Sequence, residues 1–226
     1  MKFDDIKAIA WDLDGTLIDS FHIFQKTLSG ILSKHGLTVP SNNKIAENYH
    51  GDLSDAIKNS IGLADDKLVA EIVEDFFEEE KKYFDVDITM HLFNDATELA
   101  RKASEKGLFQ IIISNRASRG SKNASPDGIV ARTVLANYIH ESRAGDQFDY
   151  RKPDTRIISD WLERLHIKPS ELLVIGDQDV DAQLAINLGS RAILIKRHDF
   201  VKLKATLVGS KDNIHIVESL DEVELV

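Results

Sequence analysis

Apolar positions along this chain follow two periods, and they change places in an orderly way. Residues 6–11 form a short apolar run ending in Ala8-Ile9-Ala10-Trp11, and Asp12-Leu13-Asp14-Gly15-Thr16 follows directly, which predicts a buried strand and then a turn. Residues 19–91 then carry only helical spacing. Phe21, Phe24, Leu28, Ile31, Leu32 and His35 recur every three to four positions behind Ser20, an expected helix cap. A second helix is expected from Leu53 through Ile57 and Ile61, and a third carries Val69, Ile72, Val73, Phe76 and Phe77. The charge run Glu78-Glu79-Glu80-Lys81-Lys82 reads as a solvated helix face with local ion pairs.

From residue 95 onward, helix and strand patterns alternate. Ala96, Leu99, Ala100 and Ala103 mark a helix over 95–106 closed by Gly107, and residues 108–113 read as a strand buried on both faces, ending at Ser114-Asn115. Residues 116–128 are polar and loop-like, with Pro126 and Asp127 opening a further helix. Residues 130–139 are expected to be helical and 140–145 a short strand. A helix over 154–165, a strand at 172–175, a helix over 182–188 stopped by Gly189, strands at 192–195 and 214–217, and a short C-terminal helix complete the pattern. Such alternation implies right-handed crossovers and a parallel sheet covered on both sides. The expected fold is therefore α/β, a Rossmann-like parallel sheet with helices on both faces and an inserted α-helical cap. The core comprises residues 1–18 and 92–226, and the cap residues 19–91.

Composition narrows the classes of function. With 226 residues and 42% apolar content the chain can bury a full core. A net charge of −10 without a basic block disfavours nucleic acid or an anionic membrane as partner, so a bound anion would need a metal or a few placed Lys and Arg residues. No cysteine is present, which excludes disulfides, thiolate metal sites and thiol nucleophiles and fits a cytoplasmic location. The acidic start, Met1-Lys2-Phe3-Asp4-Asp5, leads toward a strand and not into a secretory leader. No apolar run approaches the roughly 20 residues of a membrane span.

Three apolar strand runs end in polar groups: Asp12 with Asp14, Ser114 with Asn115, and Asp177 with Asp181. In open parallel sheets, ligands sit at the carboxyl ends of the strands. Read alone, Asp12 and Asp14 fit either a site needing a cation or shared proton, or an acidic turn. Taken with Asp177 and Asp181, and without Cys or clustered His, they call for a hard divalent cation such as Mg²⁺, which shares its coordination with substrate phosphate. Ser114 could equally cap a turn, Lys152 sit in a loop, and Asp179 serve as a first-turn acid of the following helix.

These segments resemble four motifs of the haloacid dehalogenase superfamily, and they occur in that family's order. Asp12-Leu13-Asp14-Gly15-Thr16-Leu17 is similar to the first, Ile111-Ile112-Ile113-Ser114-Asn115 to the second, Lys152-Pro153-Asp154 to the third, and Gly176-Asp177-Gln178-Asp179-Val180-Asp181 to the fourth. The resemblance implies that Asp12 is a nucleophile, Asp14 a general acid and base, and Lys152 the cation between nucleophile and phosphate. It implies phosphate contacts from Ser114 and the Asn115 backbone, and a Mg²⁺ site made by Asp12, the Asp14 carbonyl and Asp177, with Asp181 bound directly, through water, or behind the direct ligands. An acid at position 14 points to phosphoryl transfer and away from carbon–halogen cleavage.

The implied substrate is a small phosphorylated metabolite such as a sugar phosphate, phosphoglycolate or a nucleotide, handled by a monomer or homodimer. A β-phosphoglucomutase-like phosphomutase and a non-catalytic phosphate-accepting signalling module are the alternatives. Arg116, directly after the second motif, is a candidate for binding a substrate anion. His22, His50 and Arg119 are weaker candidates near the expected cap and loop.

Overall fold

The structure is a computed structural model, and it describes residues 1–49, 53–85, 91–116, 122–197 and 213–226. Strand β1 (Lys2–Phe3) precedes β2 (Ala8–Trp11), after which the chain leaves the sheet and, among the described residues, forms four helices. These are α1 (Ser20–Lys34), α2 (Asn42–Glu47), α3 (Leu53–Ile61) and α4 (Asp66–Phe84). It returns through α5 (Asn94–Glu105), β3 (Phe109–Ile113), α6 (Pro126–Ala131), β4 (Glu141–Arg143), α7 (Arg156–Leu165), β5 (Leu172–Gly176), α8 (Asp179–Leu188), β6 (Arg191–Ile195), β7 (Ile214–Val217) and β8 (Glu224–Leu225).

Six strands form a sheet in the order β4-β3-β2-β5-β6-β7, and every pairing is parallel. All carboxyl ends therefore share one edge. The chain builds outward from β2 to β3 and β4, then comes back to β5 on the other side of β2, so strand order reverses there. Side chains two apart on a strand share a face. Ile9 and Trp11 accordingly pack with Ala96, Leu99 and Ala100 of α5, whereas Ala8 and Ala10 pack with Ile157, Ile158 and Trp161 of α7. Each apolar cluster lies against one face of the sheet.

The inserted helices have a cluster of their own, in which Phe24, Leu28 and Leu32 of α1 meet Ile57 of α3 and Ile72 and Phe76 of α4. The fold is thus a Rossmann-like α/β sheet carrying an inserted helical cap. The two crossings between cap and sheet are hydrogen-bonded to each other: Asp19 N–H donates to the His91 carbonyl at 2.8 Å, and Phe93 N–H to the Leu17 carbonyl at 3.0 Å.

Several expectations need correction. Ser20 is the first helical residue and not the cap; Asp19 holds the cap position without a side-chain bond, and the Ser20 hydroxyl pairs instead with the Tyr49 hydroxyl at 2.8 Å. The helix expected over 130–139 is split, because α6 ends at Ala131 and a 3₁₀ turn occupies Val134–Asn137. The short α2, capped by Ser41, was not evident from spacing. At the C-terminus a 3₁₀ turn, Leu220–Glu222, replaces the expected helix and leads into β8, which pairs with β1. That pairing joins opposite ends of the chain, so local periodicity carries no trace of it.

Candidate active site

At the carboxyl edge of the sheet, β2 delivers Asp12, β3 delivers Ser114, and β5 delivers Asp177. Asp12 N–H donates to the Ile175 carbonyl at 2.7 Å, which ties the acid to the neighbouring strand. The turn after it is tight: Leu17 and Ile18 N–H both donate to the Leu13 carbonyl, at 2.9 and 3.0 Å. Gly15 sits there at φ +76°, and a Cβ on it would come within 2.3 Å of Asp177 Oδ2. Only glycine satisfies both the left-handed backbone and the close approach. Gly176 plays the matching part on β5, since a Cβ there would fall 2.2 Å from the Asp181 carboxylate.

Asp12, Asp177 and Asp181 are buried together, and each contributes a carboxylate oxygen to a set lying within 4.8 Å of one another. One ammonium stands among them. Lys152 Nζ, itself buried, donates to Asp12 Oδ1 at 2.6 Å and to Asp181 Oδ1 at 2.7 Å. Asp181 also accepts from Gln178 N–H at 3.1 Å, because α8 begins three residues earlier than spacing predicts and places this acid inside its first turn. Three buried carboxylates facing one ammonium leave an excess of negative charge.

The electrostatic consequences follow from that excess. Burial, reinforced by the Asp181 charge and opposed by Lys152, pushes the Asp12 carboxyl up to about 7. Burial and then the charges of Asp12 and Asp181 push Asp177 well above the usual carboxylate range. Burial would lower Lys152, but its two carboxylate partners raise it, so it stays charged. Asp177 Oδ1 is buried with no hydrogen-bond partner among the described residues. An orphaned buried oxygen in an all-oxygen, negatively charged cradle fits a hard divalent cation such as Mg²⁺.

Asn115 does not point into this cluster. Its side chain braces the lysine loop, accepting from Lys152 N–H at 3.0 Å and donating to the Lys152 carbonyl at 3.3 Å. Ser114 makes a long 3.5 Å contact from its hydroxyl to Asp14 Oδ2 and accepts Arg116 N–H at 3.1 Å. Asp14 turns its carboxylate away from the other acids toward Arg116, whose Nε and Nη2 reach it at 3.0 and 2.8 Å. Burial alone would raise the Asp14 carboxyl, but the Arg116 guanidinium outweighs it and holds the acid below its ordinary range. Among the described residues the side-chain cluster therefore comprises Asp12, Asp177 and Asp181, and the Asp14 carboxylate is not part of it.

A cavity of about 560 Å³ opens over these groups. Its floor includes Asp12, Asp14, Ser114 and Lys152, and its opposite wall is Phe24, Phe76 and Phe77 of the inserted helices with Tyr49 from the segment after α2. Three polar residues on that side escaped the sequence reading: Ser54 of α3, Glu80 of α4, and Tyr49 with its Ser20 bond. Glu80 is buried within a run read as solvated. Its signal was the four-residue spacing Phe76, Glu80, Phe84, which places it on an apolar stripe. His22 is exposed on α1, and Asp179 is a first-turn acid of α8 as expected. His50 and Arg119 lie outside the described residues.

Relatives align with this geometry over most of the chain. A phosphoglycolate phosphatase of Vibrio parahaemolyticus is 25% identical over 195 residues, which cover 84% of this chain and 83% of that protein. A phosphoglycolate phosphatase of Aquifex aeolicus is 27% identical over 198 residues, 84% of each chain. The crystal structure of a predicted phosphoglycolate phosphatase from Haemophilus somnus shares the fold with a TM-score of 0.79 at 16% identity, over 96% of both chains. The model of the haloacid dehalogenase-like hydrolases matches residues 9–195, the span that contains every acid of the buried cluster. The chain is a member of the haloacid dehalogenase-like hydrolase family.

Proposed function

We propose that this enzyme is a Mg²⁺-dependent phosphomonoester hydrolase that removes phosphate from a small metabolite through an aspartyl-phosphate intermediate. The observation that carries this reading is the buried Asp12–Asp177–Asp181 group paired with the Lys152 ammonium, at the point where strand order reverses. Asp12 attacks phosphorus and the ester oxygen leaves, which divides one difficult displacement into two easier ones. Lys152 neutralises charge between the nucleophile and the incoming phosphate, and its effect grows as water is excluded. The Ser114 hydroxyl and the Asn115 backbone hold a phosphoryl oxygen. Asp12, Asp177, Asp181 and the Asp14 carbonyl would hold Mg²⁺, which when bound supplies Lewis-acid stabilisation of phosphoryl charge.

Asp14 moves the proton. With Arg116 bound it is ionised, the form that accepts a proton from the water that hydrolyses the intermediate. The proton for the leaving alcohol enters with the substrate as its phosphate monoanion: Asp14 takes it up, passes it to the ester oxygen and returns to the carboxylate that Arg116 holds in place. Asp14→Asn is expected to slow release from alkyl phosphates on the order of 10²–10⁴-fold, the range of general acid–base contributions. The loss should be smaller for 4-nitrophenyl phosphate, whose leaving group needs no proton. Steady-state rates on both esters check this, and equal losses would remove Asp14 from the proton-transfer role.

The two curated relatives carry the name phosphoglycolate phosphatase, which makes a small acid ester the first substrate to try. We assign residues 1–18 and 92–226 to the catalytic core and 19–91 to the cap, supported by the paired crossings at Leu17–Phe93 and Asp19–His91. Cytoplasmic location and a monomer or homodimer accord with this reading. No helix among the described residues is long and apolar enough to cross a membrane. The test is phosphate release by the purified protein with Mg²⁺ across phosphoglycolate, sugar phosphates and nucleotides. Turnover of at least one of them is expected, and a blank panel would turn the assignment toward a phosphate-accepting module.

A further inference from the structure

A second buried charged group joins the sheet edge to the inserted helices. On α4, Phe76, Glu80 and Phe84 recur at four-residue spacing, and their exposures are 2%, 8% and 0%. Glu80 thus puts a carboxylate where the stripe would otherwise be apolar. It accepts from Arg116 Nη1 at 3.2 Å, and one turn further the Phe84 ring lies 4.6 Å from the Arg116 guanidinium carbon. The other edge of the same guanidinium, Nε and Nη2, holds Asp14. The Arg116 backbone is fixed independently: its N–H donates to the Ser114 hydroxyl at 3.1 Å, and its carbonyl accepts Gly145 N–H at 2.9 Å.

These bonds separate what the sheet decides from what the helices decide. The sheet edge sets where Arg116 starts, and α4 sets where its side chain ends. We propose that Glu80 is a positioning residue for Asp14: it holds the Arg116 guanidinium against the Asp14 carboxylate, so that the cap helps to place the second acid. A lone carboxylate on an apolar stripe is costly, and Arg116 is the partner that offsets the cost. Burial pushes the Glu80 carboxyl up, and Arg116 opposes that shift. The guanidinium is then divided between Asp14 and Glu80, which leaves it little capacity for a substrate anion. The catalytic part of the proposal rests on the reading of Asp14 as the group that moves the proton.

The test combines crystal structures with kinetics on Glu80→Gln, which keeps the shape, and Glu80→Ala, which does not. In metal-free crystals of both variants the two-point Arg116–Asp14 contact is expected to break and the Asp14 carboxylate to turn. With Mg²⁺, kcat on an alkyl phosphate should fall roughly 10- to 100-fold, the scale of an ångström-sized misplacement, with KM little changed and 4-nitrophenyl phosphate affected by less than about threefold. Arg116→Ala should reproduce the leaving-group pattern, and adding Glu80→Gln to it should cost little more, because the two act along one line.

Unmoved Asp14 and Arg116 in both crystal structures would overturn the proposal, as would equal losses on both esters, the mark of a cap-packing role alone. A KM increase in Arg116→Ala confined to phosphoglycolate would assign Arg116 to the substrate carboxylate and overturn it as well. If the wild-type enzyme releases phosphate from neither ester, the phosphatase reading fails. The crystal structures then decide by themselves whether Glu80 places Asp14.

Discussion

Asp12→Asn is expected to reduce phosphate release on the order of 10⁴-fold or more, the scale seen when a group that bonds to substrate is removed. The amide keeps the size of the carboxylate and can still accept from Lys152, so folding should survive. One of three crowded carboxylates also loses its charge, which relieves repulsion with Asp177 and Asp181. The thermal midpoint of the metal-free variant should therefore equal or exceed that of the wild type. A phosphate-release assay with an acid quench for the phosphorylated protein reads the first half of the claim, and a melting curve of the metal-free variant reads the second. Residual turnover above about a hundredth of wild type, or a phosphorylated intermediate in the variant, would exclude Asp12 as the attacking atom.

Removal of divalent cation should abolish activity just as thoroughly while leaving the chain folded, and the cation's grip should depend on pH in a defined window. An Asp in an unfolded chain titrates near 3.9. In the metal-free fold, burial and the Asp181 charge push Asp12 up to about 7. Between these values the folded protein holds a proton that the unfolded chain has lost, so this group stabilises the fold most at low pH and the contribution is lost as pH rises toward 7. A cation must displace that proton. The rise in thermal midpoint on adding Mg²⁺ is thus expected to be small at pH 5 and to grow as pH rises through the window. Melting curves with and without Mg²⁺ at several pH values test this, since acid effects elsewhere in the chain appear in both sets and cancel. A Mg²⁺ shift of equal size at pH 5 and pH 8 would count against proton-linked binding at this cluster.

Most of the sheet was legible because its signal is local. A parallel strand covered on both faces reads as a short apolar run, and β2, β3, β5 and β6 all lie within such runs. Helix ends were less legible: α8 starts at Asp179 rather than near residue 182, because its first turn is polar and faces the site, where function overrides amphipathic spacing. The 3₁₀ turn at Val134–Asn137 and the β1–β8 pairing depend on what lies beside them in space.

The site divides along the same line. Asp12 and Asp177 were readable because each follows an apolar strand directly, and in a parallel sheet those ends must converge, while Asp181 comes four residues after Asp177 in the first turn of α8. Lys152 was readable only through its motif, and Asn115 was readable as a position but not as the brace of the lysine loop. Glu80 was misread, because three glutamates followed by two lysines look like solvent-facing charge whichever one of them turns inward. The sequence by itself determined the alternation of strand and helix, the acids at the strand ends and hence the family. Tertiary structure alone decided that Asp14 faces Arg116, that Arg116 also faces Glu80, and that helices between two segments of the sheet form the wall opposite the acids. The reason is physical: periodicity reports which face of an element is buried, whereas partners 102 residues apart meet only once the sheet has brought two strand ends together, and partners 36 apart only once α4 has packed over its edge.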